Sequence, residues 1–327
     1  MKKVSITGAG GFIGSHLAKK FLALGWEVTC LDNFVRGLPE RLPLDDGNLK
    51  VEKIDIRKNL SKLKKAIQGS DIVYHLAAIN GTENFYKNPQ LVLDVGILGI
   101  LNIMEACKLA NVKDLVVASS AEVYQTPEII PTPENVELKL PDSLNPRYSY
   151  GGSKIITELV SMNYYQEHFH RVIIFRPHNV YGPDMGYKHV VPQFILRALA
   201  IKNNPINKEF NLKGSLNTTR SFVYIEDIIN GLLILQKKGK HREVYHIGND
   251  KEVTINELAN KILKILKIDV NIVQTKGFIG ETLRRCPNIN KIRKLGYEPK
   301  VSLDKGLNRT IKWYSINYEK VKNKELL

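Results

Sequence analysis

The sequence predicts an α/β fold: a doubly wound parallel sheet with a smaller mixed α/β lobe towards the C-terminal end. Three features predict it. Short apolar runs alternate with helix-like patterns through the first half of the chain, the signature of strands joined by crossover helices. A glycine-rich turn joins the first run to the first helix. After Arg176 the alternation gives way to prolines at 177, 183, 192 and 205 and a polar, loop-like stretch over 202–213.

Strands are predicted at 4–7, 28–31, 50–54, 72–76, 115–118 and 172–175. They contain few polar interruptions, as expected when helices cover both faces of a sheet. Between them, helices are predicted at 16–23, 91–109 and 153–168. A strand–helix pair at 221–224 and 227–235 then returns to the sheet, and helices at 255–266 and about 303–314 belong to the smaller lobe. The tail, 319–327, is charged and expected to fray.

At 327 residues and 43% hydrophobic content the chain can bury a substantial core, and its length suggests about two domains or one enlarged domain. The opening MKKVSITGAGGFIG is broken by glycines and fails as a signal peptide. No segment is read as approaching the ~20 apolar residues of a membrane helix. Cys30, Cys107 and Cys286 are scattered, without metal-ligand spacing. A soluble, cytoplasmic protein with reduced thiols and no metal is expected. The formal charge of +15 is spread from Lys2 to Lys324 without the aromatic interleaving that single-stranded nucleic acid requires. It reads as a solvated surface, with neither a nucleic acid nor a membrane as partner.

The turn Thr7-Gly8-Ala9-Gly10-Gly11-Phe12-Ile13-Gly14 follows a strand and opens a helix. Gly8 allows the tight turn, Gly11 lets the backbone approach a pyrophosphate, and Gly14 lets helix and strand pack closely. The helix N-terminus then presents N–H donors and a dipole to that anion. Asp32, ending the second strand with Asn33 after it, is placed to bind adenosine ribose hydroxyls and to repel a 2′-phosphate, which favours NAD over NADP. Arg36 nearby is a residue able to accept that phosphate. Asp55 and Ile56, ending the third strand, are candidates to face the adenine.

Ser119 and Ser120 end the fifth strand, whose carboxyl end points at the ligand crevice of such a sheet. Tyr150-Gly151-Gly152-Ser153-Lys154 follows, and on a helix this spacing puts Tyr150 and Lys154 on one face. An adjacent ammonium favours the phenolate, which can take a proton from a sugar hydroxyl while hydride leaves the same carbon. Lys154 can also hold the nicotinamide ribose, and Ser120 can hydrogen-bond the reacting oxygen.

These residues, with His75-Leu76-Ala77-Ala78, Ser119–Tyr124 in sequence, Arg176-Pro177-His178-Asn179-Val180-Tyr181-Gly182-Pro183, Arg220-Ser221-Phe222-Val223-Tyr224, Tyr245-His246-Ile247-Gly248-Asn249 and Leu295-Gly296-Tyr297-Glu298-Pro299, resemble the signatures of the extended short-chain dehydrogenase/reductase family over nearly the whole chain. Within it the chain looks most like the sugar-nucleotide epimerases, dehydratases and decarboxylases. The resemblance implies a Rossmann-type cofactor domain over 1–177 plus about 220–250, and a substrate lobe over about 178–219 plus 251–318. It implies NAD held by Gly8, Gly11, Phe12, Ile13, Gly14, Asp32, Asn33, Asp55, Ile56, Leu76, Ala77, Ala78, Tyr150 and Lys154. It also implies a substrate diphosphate held by Asn179, Arg220 and Arg285, with Arg284 competing for the last role; guanidinium groups bind phosphate oxygens through paired bonds. The segment 187–192 is expected to line the nucleotide pocket, and Glu83 to contact the sugar. His75 and His178 are read as packing histidines.

All these enzymes begin by moving hydride from sugar C4 to NAD⁺, giving a 4-keto intermediate. Dehydratases of this kind carry an acid and then a base after the strand-end serine, where this chain has Ala121 and Glu122. Epimerisation is therefore the first expectation, through Tyr150, Lys154 and Ser120. Dehydration, or decarboxylation of a UDP-glucuronate type using Glu122, comes second, and a non-catalytic NAD-binding regulator is the alternative of another class. Pairing of helices 91–109 and 153–168 with their symmetry mates would make a homodimer.

Overall fold

In the computed structural model, residues 1–204, 209–276 and 282–325 are described. The centre is a seven-stranded parallel sheet of β1 (Lys3–Thr7), β2 (Glu27–Asp32), β3 (Leu49–Lys53), β4 (Ile72–His75), β5 (Asp114–Ala118), β6 (Arg171–Pro177) and a last strand at Glu243–Ile247, in the order β3-β2-β1-β4-β5-β6-last. The order reverses between β1 and β4, and the crevice at their carboxyl ends is where a doubly wound sheet takes its ligand. The central strands are buried on both faces, with Val4, Ile6, Val116, Val117, Ile174 and Phe175 inaccessible to solvent.

Crossover helices α1 (Phe12–Ala23), α2 (Leu60–Ile67), α3 (Thr82–Lys87), α4 (Pro89–Leu109) and α5 (Ser149–Asn163) link the first six strands. α2 escapes a periodicity reading because it spans only two turns; the Asn59 side chain starts it by accepting the Lys62 N–H at 3.0 Å. Contrary to the sequence expectation, α4, 21 residues with an 18-residue window of mean hydropathy 1.6, is long and apolar enough to cross a membrane. Half of that window is buried within the molecule, between the sheet and α5, and a helix covered on several sides is apolar all round.

After β6 the chain forms β7 (Val180–Tyr181), α6 (Val190–Asn203), β8 (Glu209–Lys213), β9 (Thr219–Ser221), β10 (Val223–Tyr224), α7 (Ile225–Lys238), β11 (Glu243–Ile247, the last sheet strand), β12 (Glu252–Thr254), α8 (Ile255–Leu266), β13 (Asn271–Thr275), β14 (Arg284–Arg285) and three helices, α9 (Asn290–Arg293), α10 (Leu303–Ile316) and α11 (Tyr318–Glu325). Three expectations change here. The strand at 221–224 does not rejoin the sheet: β9 pairs with β12 and β14 and β10 pairs with β7, while β11 returns beside β6. The polar stretch over 202–213 contains β8, paired with β13, whose alternating Phe210 and Leu212 are buried. The expected frayed tail carries α11, anchored by Val321 at 8% exposure.

α8 shows local sequence deciding a boundary. Thr254 Oγ1 accepts the Glu257 N–H at 3.0 Å and Glu257 Oε2 accepts the Thr254 N–H at 2.7 Å, a reciprocal cap that satisfies two orphan donors.

Candidate active site

The glycine turn between β1 and α1 is a cradle. Gly8 has φ of +70°, and a Cβ there would lie 2.8 Å from the Ala77 backbone; one on Gly14 would lie 2.8 Å from Ala9 Cα. The N-terminus of α1 has no side-chain cap and no acidic residue in its first turn, so its N–H groups and positive dipole end suit an anion. These features fit the pyrophosphate of a dinucleotide. Phe12 and Ile13 pack on the core as partly buried side chains of this helix. Gly14→Val is expected to cost about 1–3 kcal/mol through overpacking and to reduce bound NAD; chemical denaturation and the NAD content of purified protein check both.

Asp32 closes the adjoining loop. Its carboxylate accepts the Gly10 N–H at 2.9 Å and the Phe34 N–H at 2.8 Å, and burial raises its pKa despite those bonds. A carboxylate has about four acceptor sites, so ribose hydroxyls remain compatible with this arrangement. Asn33 bonds Val35 N at 3.2 Å and also Asp55. Asp55 is held by Arg57, at 3.0 Å from Nε and 2.6 Å from Nη2, which keeps its carboxyl down at about 2. Ile56 differs from the expectation: its side chain is buried against α4 at Gly99 and belongs to the core. At the end of β4 the N–H groups of Leu76 and Ala77 donate to Thr7 Oγ1 at 3.2 and 3.3 Å, while Ala78 is partly buried beside them.

Tyr150 and Lys154 both lie on α5, which begins four residues earlier than the sequence suggests. Tyr150 is 7% exposed and stacked on Phe85 with centroids 5.1 Å apart. Ser120, capping the short 3-10 turn Ala121–Tyr124, hydrogen-bonds the Tyr150 side chain and accepts the Glu122 N–H at 3.2 Å. The expected electrostatics need correction. Burial pushes Tyr150 up to about 12, and the groups that oppose it are Ser120 and Arg36. Lys154 is turned away: its Nζ donates to the Ala118 carbonyl at 2.7 Å, 5.8 Å from the Tyr150 ring centroid, and burial lowers it to about 8.

Behind this pair lies a buried polar network that the sequence reading missed. Glu158, one turn beyond Lys154, accepts Arg176 Nε at 2.7 Å and Nη2 at 2.6 Å, and also the Ser119 hydroxyl. Arg176 reaches Tyr124 and the Glu134 carbonyl, and Tyr124 bonds His246 Nε2 at 2.6 Å. His75 bonds Thr7 Oγ1 at 2.8 Å and is lowered to about 3 by burial. His178 is buried with neither ring nitrogen bonded and its pKa well down. Both are packing residues with neutral rings.

On the opposite side, β14 and β9 run parallel with Arg285 opposite Arg220, so both point to one face of the ribbon. Arg285 is 8% exposed and donates to Glu122 at 2.6 Å. Arg284 faces the other way, paired with Glu252, which separates the two neighbours. Despite burial, Glu122 is lowered by Arg285, Arg147 and Arg220. Arg147 was not singled out beforehand; its place three residues before Tyr150 was the available signal. Arg220 also donates to the Thr219 carbonyl at 2.7 Å. Asn179, held at φ of +39°, donates to the Ser221 carbonyl at 2.9 Å. Glu83 is exposed and paired with Lys87 and with Lys188 of the 187–192 segment.

The fold and site define an NAD-dependent enzyme of the Rossmann class with a tyrosine–lysine pair. Residues 4–248 match the NAD dependent epimerase/dehydratase family, and the chain belongs to it. It is 32% identical over 329 residues to the UDP-glucuronic acid decarboxylase 1 of Danio rerio, covering 100% of this chain and 76% of that protein. The UDP-glucose 4-epimerase of Thermotoga maritima superposes with a TM-score of 0.86 at 27% identity, covering 97% of this chain and 99% of that one. The dTDP-glucose 4,6-dehydratase DesIV of Streptomyces venezuelae, solved with NAD bound, gives 0.88 at 28% identity over 98% and 99% of the two chains.

Proposed function

We propose that the protein is a sugar-nucleotide epimerase that works through a transient 4-keto sugar. The observation that carries this reading is the ion pair of Glu122 with Arg285. A base that removes the C5 proton must be able to accept it, and three guanidinium groups hold Glu122 ionised and weakly basic. With alanine at the position before it, neither member of a dehydrating acid–base pair is available. Epimerisation needs only what remains.

When bound by the glycine turn, Asp32 and Lys154, NAD⁺ would supply the hydride acceptor and donor that exchange at C4 requires. Tyr150 takes the C4 hydroxyl proton as hydride leaves and gives it back as hydride returns, so protons and electrons balance. Ser120 holds the reacting oxygen beside Tyr150. Lys154, anchored on the Ala118 carbonyl, lies where it can hold the nicotinamide ribose. Arg220, Arg285 and Asn179 grip the diphosphate. In the same proposal the sheet domain holds the cofactor and the smaller lobe holds the substrate. Leu98 on α4 and Leu159 on α5, at 45% and 58% exposure, support a homodimer through these helices; sedimentation tests it.

Decarboxylation of a uronate is the second reading, favoured by the arginine-rich wall around Glu122 and the resemblance to decarboxylases. Incubation with UDP-, GDP-, CDP- and dTDP-sugars and their uronates, followed by chromatographic separation of epimers and mass spectrometry, separates the outcomes. An isomer of unchanged mass supports epimerisation; loss of carbon dioxide or of water overturns it. In an epimerase, Glu122→Gln is expected to lower turnover by about tenfold through misplacing Arg285. A loss as large as that of a general base, about 10²–10⁴-fold, would make Glu122 catalytic.

A further inference from the structure

Epimerisation through a ketone returns hydride to the sugar that lost it, so one cofactor molecule has to stay in place between the two transfers. A contact suited to that demand lies at Arg41, which ends the short 3-10 turn Pro39–Arg41 and whose N–H donates to the Leu38 carbonyl at 3.1 Å. All three nitrogens of its guanidinium are engaged. Nε donates to Asp184 Oδ2 and Nη2 to Asp184 Oδ1, both at 2.8 Å. Nη2 also donates to the Asp184 carbonyl at 2.9 Å, and Nη1 to the Gly10 carbonyl at 3.3 Å. One side chain thus joins the middle of the glycine turn to a segment far away in the sequence.

Each end of this clasp is itself anchored. Gly10 is held on both sides, its N–H donating to Asp32 at 2.9 Å and its carbonyl accepting the Leu38 N–H at 2.9 Å. Asp184 follows β7 with φ of +58°, a left-handed conformation that aspartate tolerates and in which its carbonyl and carboxylate both reach one guanidinium. Beyond it, Met185 is buried in the core and Gly186 accepts the Tyr314 hydroxyl of α10. Before it, a Cβ on Gly182 would lie 3.3 Å from Phe12 Cζ at the start of α1. The Arg41 side chain is 11% exposed, so solvent screens this pair less than one on the open surface. A planar guanidinium fork matches two carboxylate oxygens in a way that a lysine ammonium cannot.

We propose that Arg41 and Asp184 are positioning residues whose clasp fastens the segment after β7 to the glycine turn and so slows the departure of NAD. The proposal rests on the reading in which that turn holds NAD through both hydride transfers. The fastened segment begins at Asn179, which the same reading places on the substrate diphosphate. Loosening the turn to release a dinucleotide then requires breaking a bidentate ion pair, while hydride exchange at C4 requires no such opening.

The test is the rate at which bound, radiolabelled NAD exchanges with excess unlabelled NAD⁺, followed by filtration in the absence of any sugar. The natural protein is compared with Arg41→Gln, Arg41→Lys, Asp184→Asn and the double variant Arg41→Gln with Asp184→Asn. Each of Arg41→Gln and Asp184→Asn is expected to speed exchange by about tenfold or more, the effect of losing a charge-assisted hydrogen bond. The double variant is expected to exchange no faster than the faster of the two, because both remove the same contact, and Arg41→Lys to fall between. Adenosine affinity, read by calorimetry, is expected to stay unchanged throughout. Unchanged exchange in both single variants overturns the proposal, and does so whether or not an epimer is formed from any sugar. Effects that multiply in the double variant also overturn it, since the two residues would then act separately. An equal fall in adenosine affinity would show that the loop had collapsed, and overturns it too.

Discussion

Tyr150→Phe is expected to lower turnover of the nucleotide sugar by about 10²–10⁴-fold, the range for losing a general base, while fold and NAD content stay intact. The hydroxyl carries the chemistry and the ring carries the packing: the stack on Phe85 survives in phenylalanine. The sign of the pH dependence follows from the role. To oxidise an alcohol the base must be deprotonated, and burial pushes Tyr150 up to about 12. Near neutral pH the phenolate fraction is small and grows about tenfold per pH unit, so cofactor reduction should accelerate as pH rises. Lys154, lowered to about 8, loses its ammonium in the alkaline range and should flatten that rise. Absorbance of reduced cofactor under single-turnover conditions reads both limbs. The Phe variant should lack the rising limb, and natural turnover in that variant would remove Tyr150 from the mechanism.

The largest stability effect is expected at Arg176. Its side chain is 3% exposed and its partner Glu158 is 7% exposed. Arg176→Met leaves a buried carboxylate without its cation, and breaking a buried pair this way costs about 3–5 kcal/mol. Replacing both partners, as in Arg176→Met with Glu158→Leu, removes the orphaned charge and should recover part of that loss. Urea denaturation of the single and double variants measures the difference. A single variant within about 0.5 kcal/mol of the natural protein, the range of ordinary surface changes, would show that the pair is dispensable. The single variant should also slow turnover, because Glu158 holds Ser119 beside Ser120 and adjoins Lys154 on α5.

Much of the fold was legible because it is written in local patterns. Of the six sheet strands read from the sequence, five are mainly apolar, as burial on both faces demands, while β3, Leu49-Lys50-Val51-Glu52-Lys53, alternates at the sheet edge with none of its residues buried. The seventh, β11, reads Glu243-Val244-Tyr245-His246-Ile247, an edge strand with polar members that periodicity does not single out. The small sheets around β9 escaped for a similar reason: strands of two or three residues carry no period. α4 was legible as a helix over 91–109, and tertiary packing accounts for its apolar length, since half of its apolar window is buried within the molecule.

The sequence by itself determined the glycine turn, the Asp32 that follows β2, the Tyr150–Lys154 spacing on one helix face, and the missing acid before Glu122. Each depends on residues within a turn or two of one another, where backbone geometry alone sets the outcome. Tertiary structure decided the rest. Arg285 rather than Arg284 meets Glu122, 163 residues away, because the pairing of β14 with β9 chooses the face. Lys154 turns from Tyr150 to the end of β5, and Arg36 crosses from the Asp32 loop to Asn80. The pKa of Tyr150 moves up because of the layers packed around it. Burial, and contacts between residues far apart in the chain, exist only once the sheet has closed, and no spacing along the sequence encodes their sign.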